Sequence, residues 1–298
     1  MRFDRFLLPG DRIGAGLRLY TGDPHTNSVA LSPEYNLIER VVVFRPQRAL
    51  HPNTLYTAEV VTSTDPKLGF WAFDRAPLRE GAVPLRFSFT TGSGPVQVAT
   101  PPVLPAETCD TMISGPFASC ATCHVTQPGD ETVPPSPPSG VTERVKYPPM
   151  GLDLSSPRGL YYTAIQHVAH QTETGNSVLN QGLESPDRFG VQMNIVDPGN
   201  PANSYLMYKL LAKPDNYRFE ASEPSCLTGF HAPVSDGNCQ PPSDDEAVQL
   251  REWFVSGDPM PKNRTVAVGA PPTLASITHG GLLRIGAWIA SGANCGQP

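Results

Sequence analysis

Two cysteines and a histidine stand together in Phe117-Ala-Ser-Cys-Ala-Thr-Cys-His124. Cys120 and Cys123 are separated by two residues and His124 follows at once, the spacing of c-type haem attachment. Residues three apart share one face of a helix, so each thiol can form a thioether to one of the two haem vinyl groups. His124 then offers a neutral ring nitrogen to the iron from the proximal side. Gly115-Pro116 suits a helix start, because an early helical proline loses no hydrogen bond. Two other chemistries compete for the same residues. A thioredoxin-like dithiol needs a βαβ setting, which the flanking text does not show. A zinc knuckle needs a second Cys or His pair nearby, and the next cysteine is Cys226.

A haem iron in an electron carrier takes a sixth ligand, and a methionine thioether there raises the potential. The chain has six methionines. Met1 is terminal, Met112 lies too close to the motif, and Met193 and Met207 sit in apolar runs that suit core packing. Met260, in Gly257-Asp-Pro-Met-Pro-Lys262, is stiffened by a proline on each side and is the expected ligand. Met150, in Tyr147-Pro-Pro-Met150, is the alternative, and a histidine or an open position stays in view. His167 and His170 are expected to face solvent or cap a helix rather than bind metal. His25, His51, His231 and His279 fall in turn-like text. No phosphate loop, nucleophile elbow or paired-carboxylate pattern occurs. The acidic run Asp244–Glu246 reads as charge placed at a helix start.

The elements that must hold these groups are set by composition first. Thirty-four prolines and 26 glycines in 298 residues require long loops. A net charge of -6 argues against a nucleic-acid partner. No run of 18 apolar residues occurs, so no membrane-spanning helix is expected. Cys109, Cys226, Cys239 and Cys295 form an even set, which suits disulfides in an oxidising compartment. Cys226 and Cys239 flank a short Gly/Pro/Asn-containing loop, so a local bridge is expected there. Residues 1–20 lack the apolar core of an export signal, which is therefore expected upstream of Met1.

Residues 1–92 read as all-β. Short β-rich runs at Met1–Leu8, Gly16–Tyr20, Arg40–Phe44, Leu55–Val61 and Leu85–Thr91 are separated by Pro, Gly, Asn and Asp clusters. The text Val41–Val60, with a strand ending in Pro46 before Leu50-His-Pro-Asn-Thr-Leu-Tyr56, and the closing Phe87-Ser-Phe-Thr-Thr-Gly92, resemble a bacterial Ig-like domain. That likeness implies a β-sandwich lacking its first strand, acting as a spacer or a docking module. Residues 93–106 form a Pro/Val-rich linker. From 107 to 298 the text turns helical, with starts at Ser156-Pro157 and Asp197-Pro-Gly-Asn-Pro, a capping box at Ser243 and Glu246, and a last helix over Gly280–Ser291 stopped by Gly292.

This second region resembles the class I, single-haem cytochrome c fold. Cys120, Cys123 and His124 match its attachment motif, Met260-Pro261 its methionine loop, and Leu282–Ala293 with Trp288 its closing helix. Gly151–Ser156, Pro198–Leu206 and Trp288–Ala293 are similar to segments of cytochrome-c-like domains in secreted bacterial proteins. The resemblance implies a mainly-α haem domain over 107–298 with one haem c, redox partner proteins, and a periplasmic or cell-surface location. If its first and last helices cross as in that family, Cys109 and Cys295 can meet. Met260 stands 136 positions after His124, a departure from small cytochromes that implies insertions. An electron carrier is the expected function. A haem enzyme with an open or displaceable sixth position and a surface structural protein are the alternatives.

Overall fold

The structure, a computed structural model, describes residues 1–8, 11–63, 65, 68–73, 76–78, 85–94, 106–125, 151–169, 193–217, 242–255, 260–261 and 277–296. The chain divides into two compact units, each drawn from two segments. The first joins Met1–Leu104 to Pro224–Phe254, and the second joins Pro105–Glu223 to Val255–Pro298. Residues 224–254 thus group with the N-terminal β region, although they lie inside the 107–298 stretch expected to form one domain.

In the first unit β1 (Leu17–Tyr20), β2 (Ser28–Val29), β5 (Leu55–Val60) and β6 (Arg86–Thr90) form an antiparallel sheet in the order β2-β1-β5-β6. Strands β3 (Leu31–Asn36) and β4 (Val41–Pro46) pair separately, with Leu31 opposite Pro46 and Asn36 opposite Val41. Alternation is plain in β5, where Tyr56, Ala58 and Val60 are buried, and Tyr56 and Ala58 pack with Leu19. β6 is an edge strand exposed along its whole length, including Phe87 and Phe89. Met1–Leu8 makes only isolated bridges, Arg2 to Val41 and Leu7 to Ala72. Its Phe3 and Phe6 are nevertheless core residues, Phe3 lying 4.8 Å from Phe70.

Among the described residues one α-helix, Asp244–Trp253, belongs to this unit. Ser243 caps it by accepting from the Glu246 N–H at 3.1 Å. The sequence pattern assigns the Glu246 side chain to the other half of a capping box. Instead its buried carboxylate accepts the Phe6 N–H at 2.7 Å and pairs with Arg5 at 3.4 Å. An unpaired backbone donor inside a core costs more than a vacant cap position at a helix end, so the carboxylate satisfies Phe6.

The second unit carries α1 (Cys109–Ser114), α2 (Pro157–Thr163), α3 (Tyr205–Leu211) and α5 (His279–Ala290); α4 (Asp244–Trp253) is the helix of the first unit. α1 opens with a capping box in which Thr108 and Thr111 bond each other's backbone N–H. The text after Ser156-Pro157 suits a helix to about His170, but α2 ends at Thr163. Beyond Ala164 the chain extends, and Ile165 and Val168 form bridges with Val196 and Asn194. Ile165 and Val168 are β-branched, which favours the extended form once the helix has ended. α5 ends where Gly292 adopts φ +101°, with Ala293 N–H donating to Trp288 O and Gly292 N–H to Ile289 O. These two bonds close a Schellman motif, and its left-handed residue is one that glycine fills without strain.

The ends of this unit are fastened together. Cys109 and Cys295 form a disulfide with Cα atoms 4.8 Å apart. Glu107 accepts from Arg284 Nε at 2.6 Å and from Nη2 at 3.1 Å. The core between them holds Met112, Phe117, Leu160, Met193, Met207, Ile285 and Trp288, all buried, with Phe117 edge-on to Trp288 at 6.0 Å. Met112, Met193 and Met207 are therefore packing residues. The Arg284 guanidinium bonded to Glu107 holds that carboxyl below its ordinary value near 4.5, against the upward push of burial. A depressed carboxylate contributes stability above the unfolded value, and that stability is lost as pH falls through the folded one. Glu107→Gln is thus expected to cost about 0.5–1 kcal/mol at pH 7, since Arg284 is half in water, and almost nothing at pH 3. Denaturant titration at the two pH values checks this; an equal cost at both would refute it.

Candidate functional site

Cys120, Cys123 and His124 do not lie on a helix started at Gly115-Pro116. α1 stops at Ser114, and residues 115–124 run on as successive turns. The turns bring the three together all the same. Cys123 N–H donates to Cys120 O at 3.1 Å and His124 N–H to the same oxygen at 2.8 Å. Phe117 anchors the run from beneath, its N–H on Met112 O at 2.8 Å and its ring buried against Trp288. Above that anchor Cys120 is half-buried and Cys123 exposed, both as thiols.

His124 is held by a segment whose role is silent in the sequence. Its Nδ1 lies 3.1 Å from Leu152 O, and its own carbonyl accepts the Leu154 N–H at 2.9 Å. A carbonyl can only accept, so Nδ1 donates to it, and Nε2 is the ring nitrogen that would ligate a metal. Gly151, at φ +73°, turns the chain into this grip. The buried Asp153 fixes it from behind, accepting from Ser155 N–H at 2.8 Å and Ser155 Oγ at 2.6 Å. Ser156 then caps α2. The Gly151–Ser156 text is thus a clamp on one imidazole and the start of the next helix.

These features fit covalent haem: two thiols on one turn of chain, and an adjacent imidazole whose tautomer and direction are already set. They fit a reactive dithiol poorly. Burial pushes the Cys120 thiol up, aided by Cys123 and opposed by a bond from Ser119. Dithiol oxidoreductases need the opposite shift. Among the described residues no group of three or more His, Cys, Asp or Glu could hold a metal ion.

Met260 lies in the same unit, half-buried, followed by the buried Pro261. Its N–H donates to Lys209 O at 3.2 Å and its carbonyl accepts from Asn216 Nδ2 at 3.0 Å. Met150 lies outside the described residues, as do His170, His231, Cys226 and Cys239. His167 is exposed, in keeping with a solvent-facing residue. His279, assigned to turn-like text, is fully buried at the first position of α5. Among the described residues no helix is long and apolar enough to cross a membrane. Set against known protein families and curated proteins, the chain matches no family model and no curated protein.

Proposed function

We propose that this protein is an electron carrier with one covalently attached haem c, bound through Cys120 and Cys123 and ligated by His124 and Met260. The observation that carries this reading is the Cys120-x-x-Cys123-His124 turn, with the Nδ1 of its histidine committed to Leu152 O. Haem held there would supply reversible one-electron oxidation and reduction. The protein's part is to hold it: the thiols tether, His124 presents Nε2, and Met260 offers a thioether, a soft ligand that favours the reduced iron. Phe117 and Leu154, whose backbones are bonded to the run around the motif, are both buried and apolar. Electron transfer asks for no acid, base or nucleophile. Redox partner proteins would supply and remove the electron, with the β unit as a spacer or docking module. The Cys109–Cys295 disulfide and covalent haem both suit a periplasmic or cell-surface location.

The test is made on protein expressed with haem-maturation machinery. After denaturing acid-acetone extraction the haem is expected to stay with the polypeptide; haem in the organic phase would refute covalent attachment. Met260→Ala is expected to lower the midpoint potential and let carbon monoxide bind the reduced protein, which the unaltered protein should not do. Ready carbon monoxide binding by the unaltered protein would overturn the His/Met assignment in favour of a haem enzyme.

A further inference from the structure

We infer that Asn216, helped by Lys213, is a positioning residue for Met260, so that the strength of the sixth ligand is governed from the end of α3. This rests on the reading of Met260 as that ligand.

The argument starts with the carbonyls at the end of α3. The last C=O groups of a helix have no intrahelical partner. Here Lys209 O accepts the Met260 N–H at 3.2 Å and Leu210 O accepts from Asn216 Nδ2 at 2.7 Å. Asn216 is fully buried in the turn after the helix. The same Nδ2 donates its second proton to Met260 O at 3.0 Å, and Oδ1 accepts the Ile277 N–H at 3.1 Å. Both donors and one acceptor of the amide are thereby engaged, and the two carbonyls and one N–H admit only this orientation. Ile277 directly precedes Thr278, the N-cap of α5. One side chain therefore joins the end of α3, the methionine segment and the start of α5. Lys213, also buried, adds a fourth hold by donating from Nζ to Pro261 O at 2.8 Å.

Met260 thus has both backbone polar groups bonded, and so does the carbonyl of the next residue. A thioether on backbone already held in place has less freedom to lose on binding iron. Releasing the backbone would leave the ligand chemically intact but detached for more of the time. Nothing about Met260 itself needs to change.

The holoprotein carrying Asn216→Asp tests this most sharply. Aspartate has nearly the same shape, can still accept from Ile277, and turns a carboxylate toward the carbonyls of Leu210 and Met260. Asn216→Leu removes all three bonds, and Lys213→Met removes only the hold on Pro261. Three readouts are taken on each: hydrogen exchange at the Met260 amide, carbon monoxide binding by the reduced protein, and the midpoint potential. Exchange at Met260 is expected to rise on the order of tenfold to a hundredfold in the Asn216 variants and severalfold in Lys213→Met. Carbon monoxide binding should appear, and the potential should fall part of the way towards that of Met260→Ala. Unchanged exchange in the Asn216 variants would overturn the inference. So would faster exchange with unaltered potential and gas binding, provided Met260→Ala alters both. If Met260→Ala alters neither, Met260 is not the ligand and the inference falls with that reading.

Discussion

His124→Ala is expected to leave the purified protein essentially without stably bound haem, whereas Cys120→Ala or Cys123→Ala should each keep it through the remaining thioether. The difference follows from what each residue supplies. A single thioether still tethers the group covalently. On the proposed reading the imidazole would supply the iron bond on the motif's side, and its ring is oriented by the Nδ1 contact to Leu152 O and by the backbone bond from Leu154. A ligand fixed in tautomer and direction before metal arrives gives up little freedom on binding. Alanine removes the ligand and leaves the Leu152 carbonyl without its donor. The readout is haem per polypeptide with the position of the reduced absorption bands. Full haem content with unaltered bands in His124→Ala would exclude His124 as the proximal ligand. A doubly substituted Cys120→Ala, Cys123→Ala protein should release any haem it holds into acid-acetone.

Serine at both Cys109 and Cys295 is expected to lower the unfolding free energy of the second unit by about 3–5 kcal/mol. The bridge spans a sequence separation of 186. The chain-entropy account assigns roughly 5 kcal/mol to a closed loop of that size, and measured effects commonly run somewhat lower. The bridge acts together with Glu107–Arg284 and the Cys109 N–H to Asn294 O bond at 3.3 Å, which hold the same two ends. Those contacts would persist in the folded serine variant, but being non-covalent they place no restraint on the unfolded chain. Denaturant unfolding of the holoprotein, followed by haem absorbance, gives the comparison. A change below about 1 kcal/mol would mean that the bridge is not what restrains the unfolded chain.

The sequence by itself determined the elements whose cause is local. Gly292 stops the last helix because a glycine accepts a left-handed turn without strain. β1, β4, β5 and β6 were legible because β-branched and aromatic residues alternate between turn clusters. The Cys120, Cys123 and His124 set was legible because its members are neighbours in the chain. β2 and β3 were not, since Ser28–Asn36 contains a proline and little alternation and is ordered by pairing with β1 and β4. Distance in sequence hid the rest. The Leu152 carbonyl is a backbone atom 28 residues from His124, and backbone atoms leave no mark in a sequence. Asn216 reads as one more polar turn residue until folding puts it between Met260 and Ile277, 44 and 61 positions away. Glu246 lies three residues from Ser243, as a capping box requires, but the buried N–H of Phe6 is 240 residues away and takes the carboxylate. Local spacing states what a side chain is able to bond, and burial in the tertiary structure decides which unsatisfied group it must.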